Sequence, residues 1–145
     1  MFSAENGSGG MIGTTDVFYP QLPHLLLTSL TLAKATLAPT CIYAASPNWP
    51  YAYAPHDLGR FPVAEGQYYG MKAGQSVGGG TDDTYRMPVE ECGNMLLCLA
   101  AVARSPRISA IIAYEASAMI DLIERFALCA RCPAKSSVQS WLPGS

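Results

Sequence analysis

Charge is what this sequence has least of: 14% of its residues are Asp, Glu, Lys or Arg, well below the quarter usual in soluble domains. The two signs nearly balance, nine basic against eleven acidic residues for a formal net charge of -2. Such a chain offers no electrostatic footprint to a polyanion, so neither nucleic acid nor a membrane surface is expected as a partner. Long apolar runs are lacking too. The longest, Met95 to Ala103, is less than half of the roughly 20 residues needed to cross a bilayer. Met1 to Gly10 is polar and has neither the cationic nor the apolar block of a secretory signal, so the chain as written reads as soluble and unaddressed. Cysteine is present but not in the dense spacing of a disulfide scaffold. Five residues, Cys41, Cys92, Cys98, Cys129 and Cys132, leave at least one thiol free. Cys129-x-x-Cys132 has no second Cys/His pair at ligand spacing, and no metal is expected. A nucleophile elbow, a Ser-His-Asp set, a P-loop and a dinucleotide fingerprint are all missing, so no cofactor is expected either.

What is present is apolar. Half of the 145 residues are hydrophobic, which excludes a disordered polymer and suits one domain. Combined with so little charge, this implies apolar surface that other chain is meant to cover. Asn6 to Pro23 is Gly-rich and polar, then turns apolar at Val17-Phe18-Tyr19 before two prolines, and reads as an extended lead-in. From Leu25 to Ser46, residues Leu26, Leu27, Leu30, Leu37, Cys41 and Ile42 recur at helical spacing, with Thr28, Ser29 or Thr31 as caps. Pro39 is expected to kink or interrupt that helix. Pro47 to Gly80 is a long Gly/Pro/aromatic loop, ordered and site-forming to about Tyr69 on the strength of its aromatic clusters. Pro88 then occupies the first position of a helix from Pro88 to Ala103, with Glu90 and Glu91 in the first turn, where the macrodipole favours anions. Gly93 inside that helix costs roughly 1 kcal/mol against alanine, which suggests close approach of a backbone or ligand. Ile108 to Cys129 has the periodicity of a further helix, and Arg131 to Ser145 reads as a frayed tail.

The side chains able to do chemistry concentrate between Pro50 and Asn94. In His56-Asp57 the two side chains need not touch. Asp57 reads either as a general base or orienting carboxylate with His56 as a donor to substrate, or as a turn residue beside Gly59. Glu90 and Glu91 sit about 100 degrees apart on a helix, so one can face a pocket while the other faces away. A pocket glutamate paired with Asp57 would divide the activation of a water and the protonation of a leaving group, provided that their environments push their pKa values apart. Isolated Asp16 reads as a site-lining or turn residue, and His24 as structural or superficial.

Three stretches carry a resemblance: Asn6-Gly7 through Asp16-Val17-Phe18-Tyr19-Pro20, Ala54-Pro55-His56-Asp57-Leu58-Gly59-Arg60-Phe61-Pro62-Val63-Ala64-Glu65-Gly66, and Met87-Pro88-Val89-Glu90-Glu91-Cys92-Gly93-Asn94-Met95. In order and spacing they resemble the central domain of the fungal glutaminase A family, from Phe2 to about Arg104. The resemblance implies an (α/α)6 six-hairpin toroid and hydrolysis of the side-chain amide of glutamine, typically by a secreted enzyme. It departs at Cys92, where the family usually has serine, at a longer Gly-rich run from Met71 to Thr84, and after Arg104. Charge shifts at the same place, from four basic and eight acidic residues in 1–103 to five basic and three acidic in 104–145.

The expected fold is therefore mainly α, a fragment of an (α/α)6 six-hairpin toroid with about three helices and one long loop. Residues 1–104 form a partial glutaminase-like segment, and 105–145 an unrecognised helix and tail, as a truncated reading frame would give. Asp57, Glu90 and Glu91 are the catalytic candidates, with His56, Asn94 and Asp16 toward substrate. The expected partner is a small molecule, glutamine or, on the alternative six-hairpin reading, a glycoside. The non-enzymatic alternative is a fragment that associates with a partner. Exposed apolar faces favour self-association, and the isolated chain is expected to have little or no activity.

Overall fold

A computed structural model describes residues 1–5, 9–69, 86–104, 121 and 124–127 of the chain. Helices α1 (Thr15–Thr28), α2 (Leu30–Ala45) and α3 (Pro88–Ala103) are its main elements, and residues 124–127 are also helical. Among the described residues there is no strand, only the isolated bridges Ala4 to Ile12 and Met11 to Arg60. The fold is mainly α, as the periodicities predict. Helix α1 packs against both α2 and α3. Its Phe18 and Leu22 meet Leu37 of α2 and Met95 of α3 in one buried cluster, which Trp49, Tyr53 and Phe126 complete.

The lead-in is shorter than the prolines suggest. Helix α1 begins at Thr15 and runs through Pro20 and Pro23, where an extended segment is predicted. A proline inside a helix costs about 3 kcal/mol through its missing N–H and its clash with the preceding turn. Here both prolines are exposed while Phe18 and Leu22 are buried. Burying two such side chains is worth about 1.5–3 kcal/mol each, which offsets much of the cost of the two prolines, and the rest of the buried cluster with α2 and α3 adds to it. The chain then breaks at Ser29 and not at Pro39, which α2 accommodates. Ser29 is extended (φ -157, ψ 104), and its Oγ accepts the Leu32 N–H at 3.4 Å as an N-cap.

Helix α3 has the predicted bounds, with Pro88 in the first turn beside Glu90 and Glu91. Gly93 departs from expectation. A Cβ built there meets nothing within 4 Å, so no neighbour among the described residues requires a glycine. Gly93→Ala is expected to stabilise the chain by about 0.5–1 kcal/mol, the helix-propensity difference, read as a higher urea midpoint at unchanged slope.

The loop after α2 is held by aromatics up to Tyr69, as its composition predicts. The Trp49 indole donates to the Tyr53 carbonyl at 2.6 Å and packs against Tyr43, Tyr51 and Tyr53, with ring centroids 4.9–5.5 Å apart. Arg125 fastens residues 124–127 to the same region, donating to the Ala44 carbonyl at 3.3 Å and the Tyr51 carbonyl at 2.6 Å. A cation suits that position because Ala44 lies in the last turn of α2, where carbonyls point outward unpaired. The Gly-rich run, most of the predicted fourth helix, the tail, Cys129 and Cys132 lie outside the described residues.

Candidate active site

The site is assembled by lacing the start of α1 to the loop that carries His56 and Asp57. Thr15 donates its backbone N–H to the His56 carbonyl at 2.8 Å and its hydroxyl to the Pro55 carbonyl at 2.9 Å. Ile12 and Leu58 exchange backbone bonds with this loop, Ile12 N–H to Gly59 O at 3.0 Å and Leu58 N–H to Ile12 O at 2.9 Å. From the α3 side, the buried Cys92 thiol accepts the Ala54 N–H at 3.3 Å, so a sulfur acceptor holds the strand of chain that leads into His56. Gly59 turns the loop with φ +104, and a Cβ there would meet Gly66 O at 2.8 Å and Ala64 Cα at 3.0 Å. Both the left-handed backbone and the crowding demand glycine.

Asp57 is completely buried, and both of its oxygens are engaged. Oδ1 accepts the N–H groups of Gly59 and Tyr68, each at 2.8 Å. Oδ2 accepts the Tyr69 N–H at 3.0 Å and faces His56 Nδ1 at 2.9 Å. The neighbouring side chains therefore do touch, although regular backbone geometry does not require it. Nδ1–H donates to Asp57, which leaves Nε2 as the outward nitrogen of the imidazole. Tyr69 stacks on the ring, centroids 4.4 Å apart at 20°. Gln67, also buried, clamps the loop from the other side: its Oε1 accepts the His56 N–H at 2.8 Å, its Nε2 donates to the Tyr69 carbonyl at 3.0 Å, and its own N–H donates to the Tyr43 hydroxyl at 3.2 Å.

His56 Nε2 faces Glu91 Oε1 at 3.9 Å, with both side chains buried. Oε1 has no hydrogen-bond partner, and Oε2 receives only a long bond, 3.4 Å, from Asn94 Nδ2. Burial pushes the Glu91 carboxyl up to about 9, with the negative charges of Asp16, Glu90 and Asp57 adding to the effect and Asn94 opposing it. Glu91 is therefore a neutral carboxylic acid at pH 7, able to donate as well as accept. Glu90, the other half of the pair, points about 100° away around the helix, is exposed and stays out of the cluster. Asp16, in the first turn of α1, has a buried Oδ1 with no partner. One ligand atom each from Glu5, Asp16 and His56 lie within 4.8 Å of one another. Of the residues picked from sequence, Asp16, His56, Asp57, Glu91 and Asn94 meet in one place, and His24 is exposed elsewhere. Glu5, Gln67 and Tyr43 join them with no prior signal beyond the aromatic cluster in which Gln67 sits.

Comparison with known proteins bears on this arrangement. The model of the glutaminase A six helical-hairpin domain matches residues 1–125, some twenty residues beyond the point where the motifs cease to be recognisable. The chain is 33% identical over 108 residues to the Glutaminase A of Aspergillus oryzae, and 35% identical over 108 residues to a protein named as a probable glutaminase in Arthroderma benhamiae. Each match covers 74% of this chain but only 14% and 11% of the respective relatives, so the chain spans a small part of their length. No solved structure matches it. With its helical architecture, its buried His56-Asp57 pair and a match over most of its length, the chain belongs to the glutaminase A six-helical-hairpin family.

Proposed function

We propose that this chain carries the acid–base wall of a glutaminase-type amide hydrolase. The observation that carries the reading is a pair of opposed groups, an imidazole anchored by Asp57 and a buried neutral carboxyl, 3.9 Å apart. A single atom at hydrogen-bond distance, about 2.8 Å from each, fits between them at an angle near 90°. His56 Nε2 takes a proton from a water at that position as the water oxygen bonds to the amide carbon. Glu91 gives its proton to the departing amide nitrogen as the C–N bond breaks, so a carboxylic acid and ammonia are released. The imidazolium and carboxylate left behind exchange one proton and restore the starting state. Asp57 holds the imidazole in the tautomer that presents Nε2 and stabilises its cation, and Asn94 steadies the far oxygen of Glu91.

This division of labour differs from a pair of working carboxylates, because the four bonds to Asp57 commit both of its oxygens. For the same reason a glycosidase is the weaker reading, since it needs two carboxyl groups free to act on the substrate. The names of the relatives supply the amide, and the geometry of His56 and Glu91 supports its hydrolysis. Ammonia release from glutamine by the purified chain, slow because the chain spans little of its relatives, is expected to fall at least 100-fold in Glu91→Gln. Its rate should also decline as pH rises through about 9, where Glu91 loses its proton. Ammonia release indifferent to Glu91, or reducing sugar formed from a glycoside instead, overturns the reading.

A further inference from the structure

Glu91 and Cys92 are neighbours near the start of α3, and each reaches a different point of the loop opposite. Glu91 turns its carboxyl to His56. Cys92, completely buried, accepts the N–H of the equally buried Ala54 at 3.3 Å. A buried N–H that loses its acceptor costs about 1–3 kcal/mol, so this bond restricts where Ala54 can lie against α3. Only Pro55 separates Ala54 from His56, and its ring locks one of the two torsions able to absorb a shift. The Pro55 and His56 carbonyls are held in turn by the Thr15 hydroxyl and N–H of α1, at 2.9 and 2.8 Å. The imidazole thus hangs between two helices, gripped by α1 through Thr15 and by α3 through the Cys92 sulfur. Because α3 also carries Glu91, a shift of Ala54 against Cys92 changes the 3.9 Å gap between His56 Nε2 and Glu91 Oε1.

We infer that Cys92 is a positioning residue, which sets the distance between base and acid by holding the Ala54 N–H to α3. The inference rests on the reading of His56 as the base and Glu91 as the acid. Their gap is wide enough for both to reach one reacting atom and too wide for them to bond to each other. Working at such a gap tolerates little error, since a misplacement of about 1 Å costs on the order of 100-fold in rate. Cys92 itself is buried away from any substrate, so its effect belongs in the chemical step and not in substrate binding. Serine and alanine separate the bond from the packing of the sulfur. They are nearly equal in size, and only serine brings an acceptor to the Ala54 N–H.

Amide exchange, the Glu91 titration followed by carboxyl NMR, and ammonia release from glutamine are read on the parent chain, Cys92→Ser and Cys92→Ala. In the parent, the Ala54 N–H is expected to exchange as slowly as that of Leu99, which is buried in α3. In Cys92→Ala it should exchange at least about ten-fold faster relative to Leu99, because the loop opens locally there. The Glu91 carboxyl should titrate below the value of about 9 that burial gives it, as water enters beside the lifted loop. Asp16 from α1, Asp57 and His56 from the loop, and Glu90 and Asn94 from α3 surround that carboxyl, and the substitution alters none of them. For turnover, kcat should fall roughly 10- to 100-fold with KM within about two-fold. Cys92→Ser should recover all three readings to within about three-fold of the parent, since its hydroxyl takes the same N–H. Exchange and titration in Cys92→Ala that match the parent, or a serine variant as impaired as the alanine one, overturn the assignment. Rapid exchange of Ala54 in the parent overturns it without any variant, so a variant that fails to fold leaves the test intact. Hydrolysis is read separately. A parent without turnover removes the hydrolase reading, while exchange and titration still decide the role of Cys92. Equal kcat in the parent and Cys92→Ala removes that role and leaves the hydrolase reading standing.

Discussion

Asp57→Ala is expected to leave the chain unable to unfold cooperatively at 25 °C, the largest effect of any single substitution in it. The carboxylate gathers the N–H groups of Gly59, Tyr68 and Tyr69 and the Nδ1 of His56 at 2.8–3.0 Å in a fully buried place. Removing it strands the buried donors of Gly59 and His56 and the partly buried ones of Tyr68 and Tyr69 at once. Each buried donor left unpaired costs about 1–3 kcal/mol, and the costs need not add fully. Even half of their total is comparable with the 5–15 kcal/mol that holds an ordinary domain together. Asp57→Asn separates the structural role from the chemical one. Its oxygen still takes two of the N–H groups, while its NH2 now confronts the Tyr69 N–H and the imidazole. His56 escapes the clash by presenting an unprotonated Nδ1 to the amide, and that tautomer places the proton on Nε2, where a base needs a lone pair. The asparagine variant should therefore lose less stability than the alanine variant and yet lose its hydrolytic activity. A urea melt of Asp57→Ala within about 1 kcal/mol of the parent would show that water replaces the carboxylate and that the loop is not organised around it.

How much of this was legible in the chain divides along physical lines. Helix α3 was readable to the residue, because proline at its start, acids in the first turn and an apolar run agree with the packed structure. Helix α1 was not. The local cost of Pro20 and Pro23 is plain in the sequence, whereas the packing of Phe18 and Leu22 that offsets it exists only after α1 meets α2 and α3. Among the chemical groups, the adjacency of Glu90 and Glu91 announces that only one can face inward, but which one depends on the rotation of α3. The outcome turns that ambiguity into a buried Glu91 and an exposed Glu90. Glu5 and Gln67 left no trace, since each reaches the site through tertiary contacts: Gln67 through the backbone of His56, Glu5 through the bridge that lays Ala4 beside Ile12. Among the described residues Leu27 on α1, Ile42 on α2 and Leu97 on α3 stay exposed. They are consistent with self-association through uncovered helix faces, a proposal that sedimentation would decide.

Replacing Glu91 by glutamine should remove a loss of stability that grows with rising pH. The folded carboxyl titrates at about 9 against an ordinary value of 4.5, raised first by burial and then by Asp16 from α1, by Glu90 on its own helix and by Asp57 from the loop, with Asn94 opposing. His56 faces it at 3.9 Å and carries a compensating positive charge when protonated. The folded state thus keeps a proton that the unfolded chain gives up, and stability depends on the difference in bound protons. Below pH 4.5 both states hold it and nothing is lost. Between 4.5 and about 9 the unfolded chain releases it while the folded chain does not, so stability falls as pH rises, with a slope approaching about 1.4 kcal/mol per pH unit. Above about 9 the loss is complete and the slope vanishes. Glutamine has no proton to release, keeps nearly the same shape and leaves that contribution flat. From pH 5 to pH 8 the variant should gain about 4 kcal/mol on the parent, starting from near equality, because the other titrating groups are shared. Urea melts at half-unit intervals would read this as midpoints that diverge steadily toward alkaline pH. Parallel curves would mean that Glu91 is already ionised or solvated at neutral pH, and with no neutral acid beside His56 no proton would be there for the departing ammonia.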